Sequence, residues 1–279
     1  MQSLGLFQKR IIAFSLSGIA YLWLLVFATA IITLASNVWA IGDKNTVALW
    51  HFDEKKGEVV ADTSENHLEG IQVSCEWVDG KFNSSALQFN KAGSHVEIPY
   101  NDALALQVFT IEFWTKYIKP PAEHSSFMSN RGWIVGDKMT GWTIRDHDGN
   151  LYLEILTKGQ FQTDGALLNS GDWLFLTITY DGSSAKLYIN AELKKETQIP
   201  GKIIYAGESL WIGAEPSGGY AFGNSGDIII DEVRISNIVR TENEIQAAME
   251  EGYGDEAVEA VGKLPVQWGR IKYYPYTHQ

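Results

Sequence analysis

The sequence predicts an all-β domain over residues 46–250, built as an antiparallel sandwich or barrel. Short runs in which apolar and polar residues alternate recur along this stretch, and Gly, Asp and Asn separate them. Aromatic and β-branched residues fill the runs, as is typical of strands. No helical periodicity lies between the runs, and closely spaced strands without intervening helices favour a sandwich or a barrel.

The first strands can be located from this alternation. TVALWHF, residues 46–52, forms the first run, and ALQFNKAGSHVEIP, residues 86–99, has the pattern of two short strands around a Gly turn. In FTIEFWTKYIK, residues 109–119, Ile111 and every second residue after it lie on one side, and Glu112 lies on the other. The alternation therefore predicts a long strand at this position.

Two hairpins are predicted from Asp-Gly pairs. Asp148-Gly149 separates GWTIR from LYLEIL, and Asp181-Gly182 separates WLFLTITY from KLYIN. An Asp-Gly pair between alternating runs is a strong hairpin signal, because it tolerates a positive φ. SLWIG and GDIIIDEVRIS supply two further predicted strands.

One helix is predicted at the C-terminal end of the sandwich. In RTENEIQAAMEEG, Thr241 is the N-cap and Glu244 follows three residues later, which is the pattern of a capping box. Ile245 and Ala248 lie on one apolar stripe, and Gly252 is predicted to end the helix.

The chain divides into three predicted parts. Residues 1–40 carry two cations, Lys9 and Arg10, continue in a long uncharged apolar run and end in NVWA, which predicts a secretory signal. Because the apolar run, residues 11–36, is long enough to span a bilayer, an uncleaved signal anchor is the alternative. Residues 41–250 form the predicted sandwich, and residues 251–279 are either a terminal strand or a flexible tail.

Composition limits the class of partner. The net charge is −12 at pH 7, and cleavage after Ala40 would remove Lys9 and Arg10 but no acid. This acidity argues against nucleic acid and anionic membrane surfaces as partners. With a single cysteine, Cys75, the core or a metal must hold the fold without an internal disulfide. We expect a secreted protein, extracellular or periplasmic, that meets a membrane only through an uncleaved N-terminal segment.

Three motifs carry a resemblance to a known family, namely GDWLFLTITYDGSSAKLYINAE (residues 171–192), GDIIIDEVRISNIVRTENEI and LWHFDEKKGEVVADTSENHLEG. They resemble, in that order, the Trp-centred hairpin, the closing strand with its helix, and the opening strand with its loop in laminin G-like domains of the concanavalin A-like lectin/glucanase superfamily. Ala191 stands where the family usually has Gly. The resemblance implies a jelly-roll sandwich of two antiparallel sheets with one short C-terminal helix. It places the ligand site on the concave face or in the loops at one rim.

The sequence identifies no catalytic residue. Hydrolases of this fold resemble one another in a Glu-x-Asp-x-(x)-Glu strand, and no such strand is present. Retaining glycosidases need two carboxylates about 5–5.5 Å apart, whereas Glu112 and Glu154 are single strand acids that we interpret as residues on a solvated face. The six histidines show no metal-ligand spacing. Polysaccharide hydrolysis or lysis is therefore the least favoured function.

Two segments have the composition of a sugar-binding site, in which aromatic rings lie beside amide or carboxylate groups. SNRGWIVGDKMTGW carries Trp133 and Trp142, with burial in strands as the alternative. EPSGGYAFGNSGD is Gly-rich and carries Tyr220, Phe222 and Asn224, which we expect on the surface. These five residues are the predicted ligand contacts of a non-catalytic module that binds a carbohydrate or glycoconjugate. A protein-binding adhesion or structural module of the same fold is the alternative.

Asp231 shares the apolar side of the strand GDIIIDEVRIS, where a carboxylate needs a partner. Arg234 lies on the other side, so backbone amides or a metal remain. The loop ADTSENHLEG offers Asp62 and Asn66 as oxygen ligands of the kind calcium takes. The resembled family often holds a structural calcium here, which implies Ca2+ bound by Asp62, Asn66 and Asp231. Amide capping of Asp231 and an Asx-turn at Asp62 are the alternatives.

Overall fold

The computed structural model describes residues 43–121, 124–134, 138–156, 160–162, 166–168, 171–216 and 221–253. Within these residues lie eighteen strands, two α-helices and a 3₁₀ turn at Asp102–Leu104. The strands are β1 (Thr46–Trp50), β2 (Val59–Val60), β3 (Gly70–Val73), β4 (Glu76–Asp79), β5 (Ser85–Phe89), β6 (His95–Ile98), β7 (Phe109–Lys119), β8 (Ser125–Ser129), β9 (Gly132–Ile134), β10 (Lys138–His147), β11 (Asn150–Leu156), β12 (Gln160–Gln162), β13 (Ala166–Leu167), β14 (Trp173–Tyr180), β15 (Ser184–Ile189), β16 (Glu192–Gln198), β17 (Leu210–Ile212) and β18 (Asp227–Ser236). The helices are α1 (Phe222–Ser225) and α2 (Glu242–Glu251).

The strands form two antiparallel sheets that make a sandwich. One sheet has eight strands in the order β16-β15-β14-β7-β18-β5-β4, with β1 paired to β18. The other has ten strands in the order β12-β11-β10-β8-β17-β6-β3-β2, with β9 paired to β10 and β13 paired to β11. The predicted all-β, two-sheet antiparallel fold with one short C-terminal helix is therefore confirmed.

The main hydrophobic core lies between the two sheets. Ile111 and Phe113 of β7 belong to this core, whereas Trp114 belongs to a second cluster. That second cluster covers the other side of the eight-stranded sheet, where α2 packs Ile245 and Ala248 against Trp114. Both sides of β7 are therefore covered by protein. Side chains that alternate along β7 belong to the main core on one side and to the second cluster on the other.

Both predicted Asp-Gly hairpins are present. Asp148 and Gly149 turn between β10 and β11 with φ values of 52° and 74°. At the turn between β14 and β15, the Asp181 carboxylate accepts the backbone N–H of Ser184 at 2.7 Å. The two strands predicted within residues 86–99 exist as β5 and β6, but they belong to different sheets. The chain therefore crosses from one sheet to the other at this Gly turn.

The predicted capping box begins α2. Thr241 Oγ1 accepts the backbone N–H of Glu244 at 3.3 Å, and the Glu244 carboxylate accepts the N–H of Thr241 at 2.8 Å. The two contacts satisfy donors that a helix N-terminus otherwise leaves unpaired. Gly252 ends the helix with a φ of 71°, as predicted.

The turn between β15 and β16 holds Ala191 in a left-handed conformation, with a φ of 61°. This conformation costs a residue with a Cβ about 1–2 kcal/mol, and the greater freedom of glycine in the unfolded chain offsets about 0.4–1 kcal/mol. We therefore expect Ala191→Gly to raise the free energy of unfolding by about 0.5 kcal/mol in urea melts. Ala247→Gly, on the exposed side of α2, is the matched control and should lower it by about 1 kcal/mol. Destabilisation by both changes would show that the turn does not strain Ala191.

Both termini lie outside the described residues. The predicted signal or anchor, residues 1–40, and residues 254–279 of the predicted tail are not described. Of the helices that are described, none is long and apolar enough to span a bilayer. The secretory signal and its alternative, the signal anchor, both stay predictions.

Candidate functional site

A single row of residues crosses the outer face of the ten-stranded sheet, which is the face turned away from the core. Directly opposed residues of neighbouring strands share one face. The register places the following residues opposite one another in this order: Val59, Ile71, Glu97, Trp211, Ser129, Thr143 and Glu154. The adjacent row on the core face runs from Gln72 of β3 to five apolar core residues, Val96, Ile212, Met128, Ile144 and Leu153. The polar residues of the outer row therefore do not pack in the hydrophobic core, which lies against the opposite face of the sheet.

Four charged residues gather at the polar end of this row, and we call them the Arg–Glu cluster. Glu154 of β11 pairs with Arg145 of β10 at 3.2 Å, and Glu215 pairs with Arg131 at 3.3 Å. Arg131 also lies 3.9 Å from Glu154 and so links the two carboxylates. Glu154 and Glu215 are 0 % and 1 % exposed. Buried charges are costly unless they are paired, and here two guanidiniums balance two carboxylates.

Hydroxyl groups and a thioether also contact the Arg–Glu cluster. Ser126 Oγ donates to Glu215 Oε1 at 3.2 Å, and Thr143 Oγ1 donates to the same oxygen at 3.5 Å. Arg131 donates from Nε to Met139 Sδ at 3.0 Å, and its Nη2 contacts the same sulfur. Met139 lies in the part of β10 that pairs with β9. The cluster is therefore held by β8, β10, β11, the segment after β8 and the segment after β17.

Aromatic rings flank the Arg–Glu cluster on both sides. Trp211 of β17 stacks on His95 of β6, with ring centroids 3.8 Å apart and planes 7° from parallel. On the other side, Tyr152 of β11 lies opposite Arg145, and its ring centroid is 5.9 Å from that of His147. Trp211 and Tyr152 are partly exposed. Three strand spacings separate their strands, which is about 14 Å.

Two histidines that are distant in sequence, His124 before β8 and His147 at the end of β10, lie close together. The ring centroids of His124 and His147 are 3.6 Å apart. Burial and the neighbouring His147 lower the pKa of His124. In the described part of the chain, no group of three His, Cys, Asp or Glu side chains could hold a metal ion.

Trp142 and Phe222 are buried, which corrects their prediction as ligand contacts. Trp142 is 3 % exposed and belongs to the core side of β10, where its ring packs against Phe109 at 5.7 Å. Phe222 is fully buried at the start of α1, with its ring 4.8 Å from that of Phe127. A ring that protein encloses cannot stack on a sugar. For Trp142, the alternative of burial in a strand is confirmed.

Among the other predicted ligand contacts, Asn224 is the one with a described side chain. It is exposed, and its Oδ1 accepts the backbone N–H of Gly93 at 3.2 Å. The backbone of Trp133 lies in β9, directly opposite Met139, while its side chain and all of Tyr220 lie outside the description. Ligand binding by these three residues stays a prediction. The register places Trp133 beside the residue that contacts Arg131.

Asp62 and Asn66 anchor the loop before β3 through hydrogen bonds within the chain. Asp62 Oδ1 accepts the N–H of Ser64 at 2.9 Å, and its Oδ2 accepts the N–H of Leu68 at 2.6 Å. The first of these bonds is the Asx-turn that the sequence left open as the alternative. Asn66 donates from Nδ2 to the Val47 carbonyl at 2.8 Å.

Asp231 is anchored by a different loop, between β4 and β5. Its Oδ2 accepts the backbone N–H of Lys81 at 2.7 Å, so the alternative of amide capping is confirmed. Its Oδ1 is buried and accepts no hydrogen bond from the described residues, and burial raises the pKa of Asp231 to about 7. Asp62 and Asp231 therefore accept backbone hydrogen bonds from different loops. Calcium binding stays a prediction.

Glu112 and Glu154 are both 0 % exposed, which corrects their interpretation as residues on a solvated face. Glu112 pairs with Arg234 at 2.6 Å, and Glu154 belongs to the Arg–Glu cluster. Sequence reasoning missed Glu215 as well, because its partners come from other strands. The one local signal is that Glu154, in LYLEIL, has apolar neighbours on both sides.

A laminin G-type family model, described as Concanavalin A-like lectin/glucanases superfamily, matches residues 90–246, more than half of the chain. The chain belongs to the concanavalin A-like lectin/glucanases superfamily. The matched residues include the Arg–Glu cluster, Trp211 and Tyr152. No curated protein matches the chain.

Solved structures share this concanavalin A-like fold. The binding domain of Paraclostridial Mosquitocidal Protein 1 is 19 % identical with a TM-score of 0.61, and the match covers 74 % of this chain and 52 % of that one. Domain 4 of AbnA, a GH43 extracellular arabinanase from Geobacillus stearothermophilus solved with arabinotriose, is 17 % identical with a TM-score of 0.57, covering 74 % and 98 %. The binding domain of botulinum neurotoxin serotype D is 16 % identical with a TM-score of 0.55, covering 74 % and 50 %. The chain therefore spans about half of each toxin binding domain and nearly all of the arabinanase domain.

Proposed function

We propose that the protein is a non-catalytic module that binds a glycan on the outer face of the ten-stranded sheet. The observation that carries the proposal is the part of the row from Trp211 to Glu154. There, the partly exposed ring of Trp211 lies next to buried polar side chains on the neighbouring strands. A sugar presents an apolar ring face and a hydroxylated edge. Binding sites meet these two surfaces with aromatic rings and a few fixed polar groups.

The two flanking rings suit a ligand of several sugar units. The strands that carry Trp211 and Tyr152 are three strand spacings apart, or about 14 Å, and the Arg–Glu cluster lies beside both rings. Paired charges and hydrogen bonds fix the side chains of the Arg–Glu cluster, so these side chains lose little conformational entropy when a ligand binds. Domain 4 of AbnA, solved with arabinotriose, shares the fold over nearly its whole length, and this supports a glycan as ligand.

The contacts of Glu154 and Glu215 support binding rather than catalysis. Each carboxylate lies against a guanidinium, and Ser126 donates a further hydrogen bond to Glu215. Hydrolysis by a carboxylate pair requires both acids to reach the scissile bond. Ion pairing to arginine occupies these acids instead.

Trp211→Ala is the direct test of the proposed site. We expect the change to weaken glycan binding at least about tenfold, or about 1.4 kcal/mol, because it removes the stacking surface at one end of the row. Binding is measured with the purified full chain by calorimetry, first with arabinotriose and then with the oligosaccharides that bind on a glycan array. Trp211→Phe, which keeps a ring, should retain most of the affinity.

Tyr100→Ala is the matched control, because Tyr100 is 44 % exposed and lies outside the row. Unchanged affinity in Trp211→Ala, or an equal loss in Tyr100→Ala, would contradict the proposed site. Release of product from any bound oligosaccharide, lost in Glu154→Gln, would contradict the non-catalytic role.

The alternative of a protein-binding module is favoured by the apolar end of the row. Val59, Ile71 and Val73 are 48 %, 44 % and 40 % exposed on two strands at one edge of the sheet. A protein ligand whose binding is lost in Ile71→Ser but kept in Trp211→Ala would support this alternative.

The proposed site suits a protein that acts outside the cytosol, where glycans of other molecules are met. The uncharged apolar run at residues 11–36 supports export, with cleavage or retention as an anchor left open.

A further inference from the structure

Arg131 directs one edge of its guanidinium at a poor acceptor. Its Nε lies 3.0 Å from Met139 Sδ, and its Nη2 contacts the same sulfur, while Nη1 bonds Glu215. A thioether is a weak hydrogen-bond acceptor. The Nε–Nη2 edge is the fork with which arginine binds two oxygen atoms side by side. The Arg131 side chain is only 10 % exposed, so bulk water does not freely supply those oxygens.

Met139 occupies the place that two acceptor oxygens would take. Its side chain is unbranched and has three rotatable bonds, so it can leave this place without a shift of the backbone. Met139 is itself partly exposed, so a ligand can reach its side chain from solvent. Its departure would open the fork of Arg131 towards the face that carries Trp211 and Tyr152.

The charges around the fork favour a neutral ligand. Arg131 and Arg145 are already balanced by Glu154 and Glu215. A ligand carboxylate would lose its hydration in a site without net positive charge, and the two glutamates would repel it. A pair of adjacent hydroxyl oxygens accepts the same two hydrogen bonds without that cost.

We propose that Arg131 determines specificity by donating from Nε and Nη2 to adjacent hydroxyl oxygens of a neutral glycan, which displaces the Met139 side chain. This inference rests on the proposed glycan-binding function and adds the class of glycan and the residue that selects it. Arg131 contacts the ligand directly, while Glu215 and Glu154 hold its guanidinium in place.

The test compares neutral trisaccharides with an acidic one on the full chain. Arabinotriose, xylotriose and maltotriose are titrated beside trigalacturonate, with wild type, Arg131→Lys, Met139→Ala and Met139→Leu. We expect wild type to bind at least one neutral trisaccharide and to bind trigalacturonate at least about tenfold more weakly. Arg131→Lys keeps the positive charge but loses the fork, so it should bind the neutral ligand at least about tenfold more weakly.

Met139→Ala tests the same inference with the Arg–Glu cluster intact. It should bind the neutral trisaccharide several-fold more tightly, because no thioether must be displaced, whereas Met139→Leu keeps the bulk and should show no such gain. Trigalacturonate binding as tight as that of the neutral ligands, or unchanged affinity in both Arg131→Lys and Met139→Ala, would overturn the inference and leave glycan binding standing. If wild type binds none of the four trisaccharides and no oligosaccharide on the glycan array, the proposed glycan-binding function fails together with this inference.

Discussion

Arg234→Met is expected to lower the free energy of unfolding by about 3–5 kcal/mol, because it leaves Glu112 as an unpaired buried charge. Glu112 is fully buried on the side of β7 that α2 covers, and its Oε2 accepts from Arg234 Nε at 2.8 Å and lies 2.6 Å from Nη2. The ring of Tyr253, directly after α2, lies 4.2 Å from the centre of the guanidinium. Burial raises the pKa of Glu112, and Arg234 acts against that rise.

The double variant Glu112→Leu, Arg234→Met separates the cost of the unpaired charge from the loss of packing. Replacement of a whole buried ion pair by apolar residues is often neutral or stabilising. We therefore expect the double variant to recover most of the stability that the single variant loses, as measured in urea at pH 7. A loss of less than 1 kcal/mol in Arg234→Met, or a double variant that is less stable still, would show that the pair is not the source of this stability.

The stability of wild type should fall by about 3 kcal/mol between pH 5 and pH 8 through Asp231 alone. The carboxyl is 0 % exposed, and burial raises its pKa from 3.8 to about 7. Between these two values the native state keeps a proton that the unfolded state has released. The stabilisation is therefore complete below the unfolded pKa and is lost as the pH rises through about 7. In melting temperature, a change of about 3 kcal/mol corresponds to roughly 6–12 °C for a domain of this size.

Asp231→Asn is the matched control, because it keeps an oxygen for the Lys81 N–H and cannot ionise. The difference in unfolding free energy between this variant and wild type should change by about 3 kcal/mol between pH 5 and pH 8. The change is in the direction that makes the variant more stable relative to wild type at high pH. Taking the difference cancels the pH-dependent contributions to stability that wild type and the variant share. Parallel curves would mean that Asp231 titrates near its ordinary pKa. The same melts with calcium and with a chelator test the predicted calcium site.

The sequence alone determined the elements whose signals are local. The alternation of Ile111 and Glu112 placed β7, the pairs Asp148-Gly149 and Asp181-Gly182 placed two hairpins, and Thr241 placed the start of α2. These signals can be read locally because strand periodicity, positive φ and helix capping depend on residues at most a few positions apart.

The tertiary structure alone decided which side chains meet. Alternation correctly put Glu112 and Glu154 opposite the core, but it could not show that α2 covers the first and that two arginines enclose the second. Trp142 and Phe222 have the residue type of a sugar site, yet their places in β10 and α1 turn them into the protein. The candidate site combines Arg131 with Glu215, which are 84 positions apart, through strands that are neighbours in the sheet but not in the chain. Burial and pairing are set by strand order and by what packs over each face, and neither is encoded within one short segment.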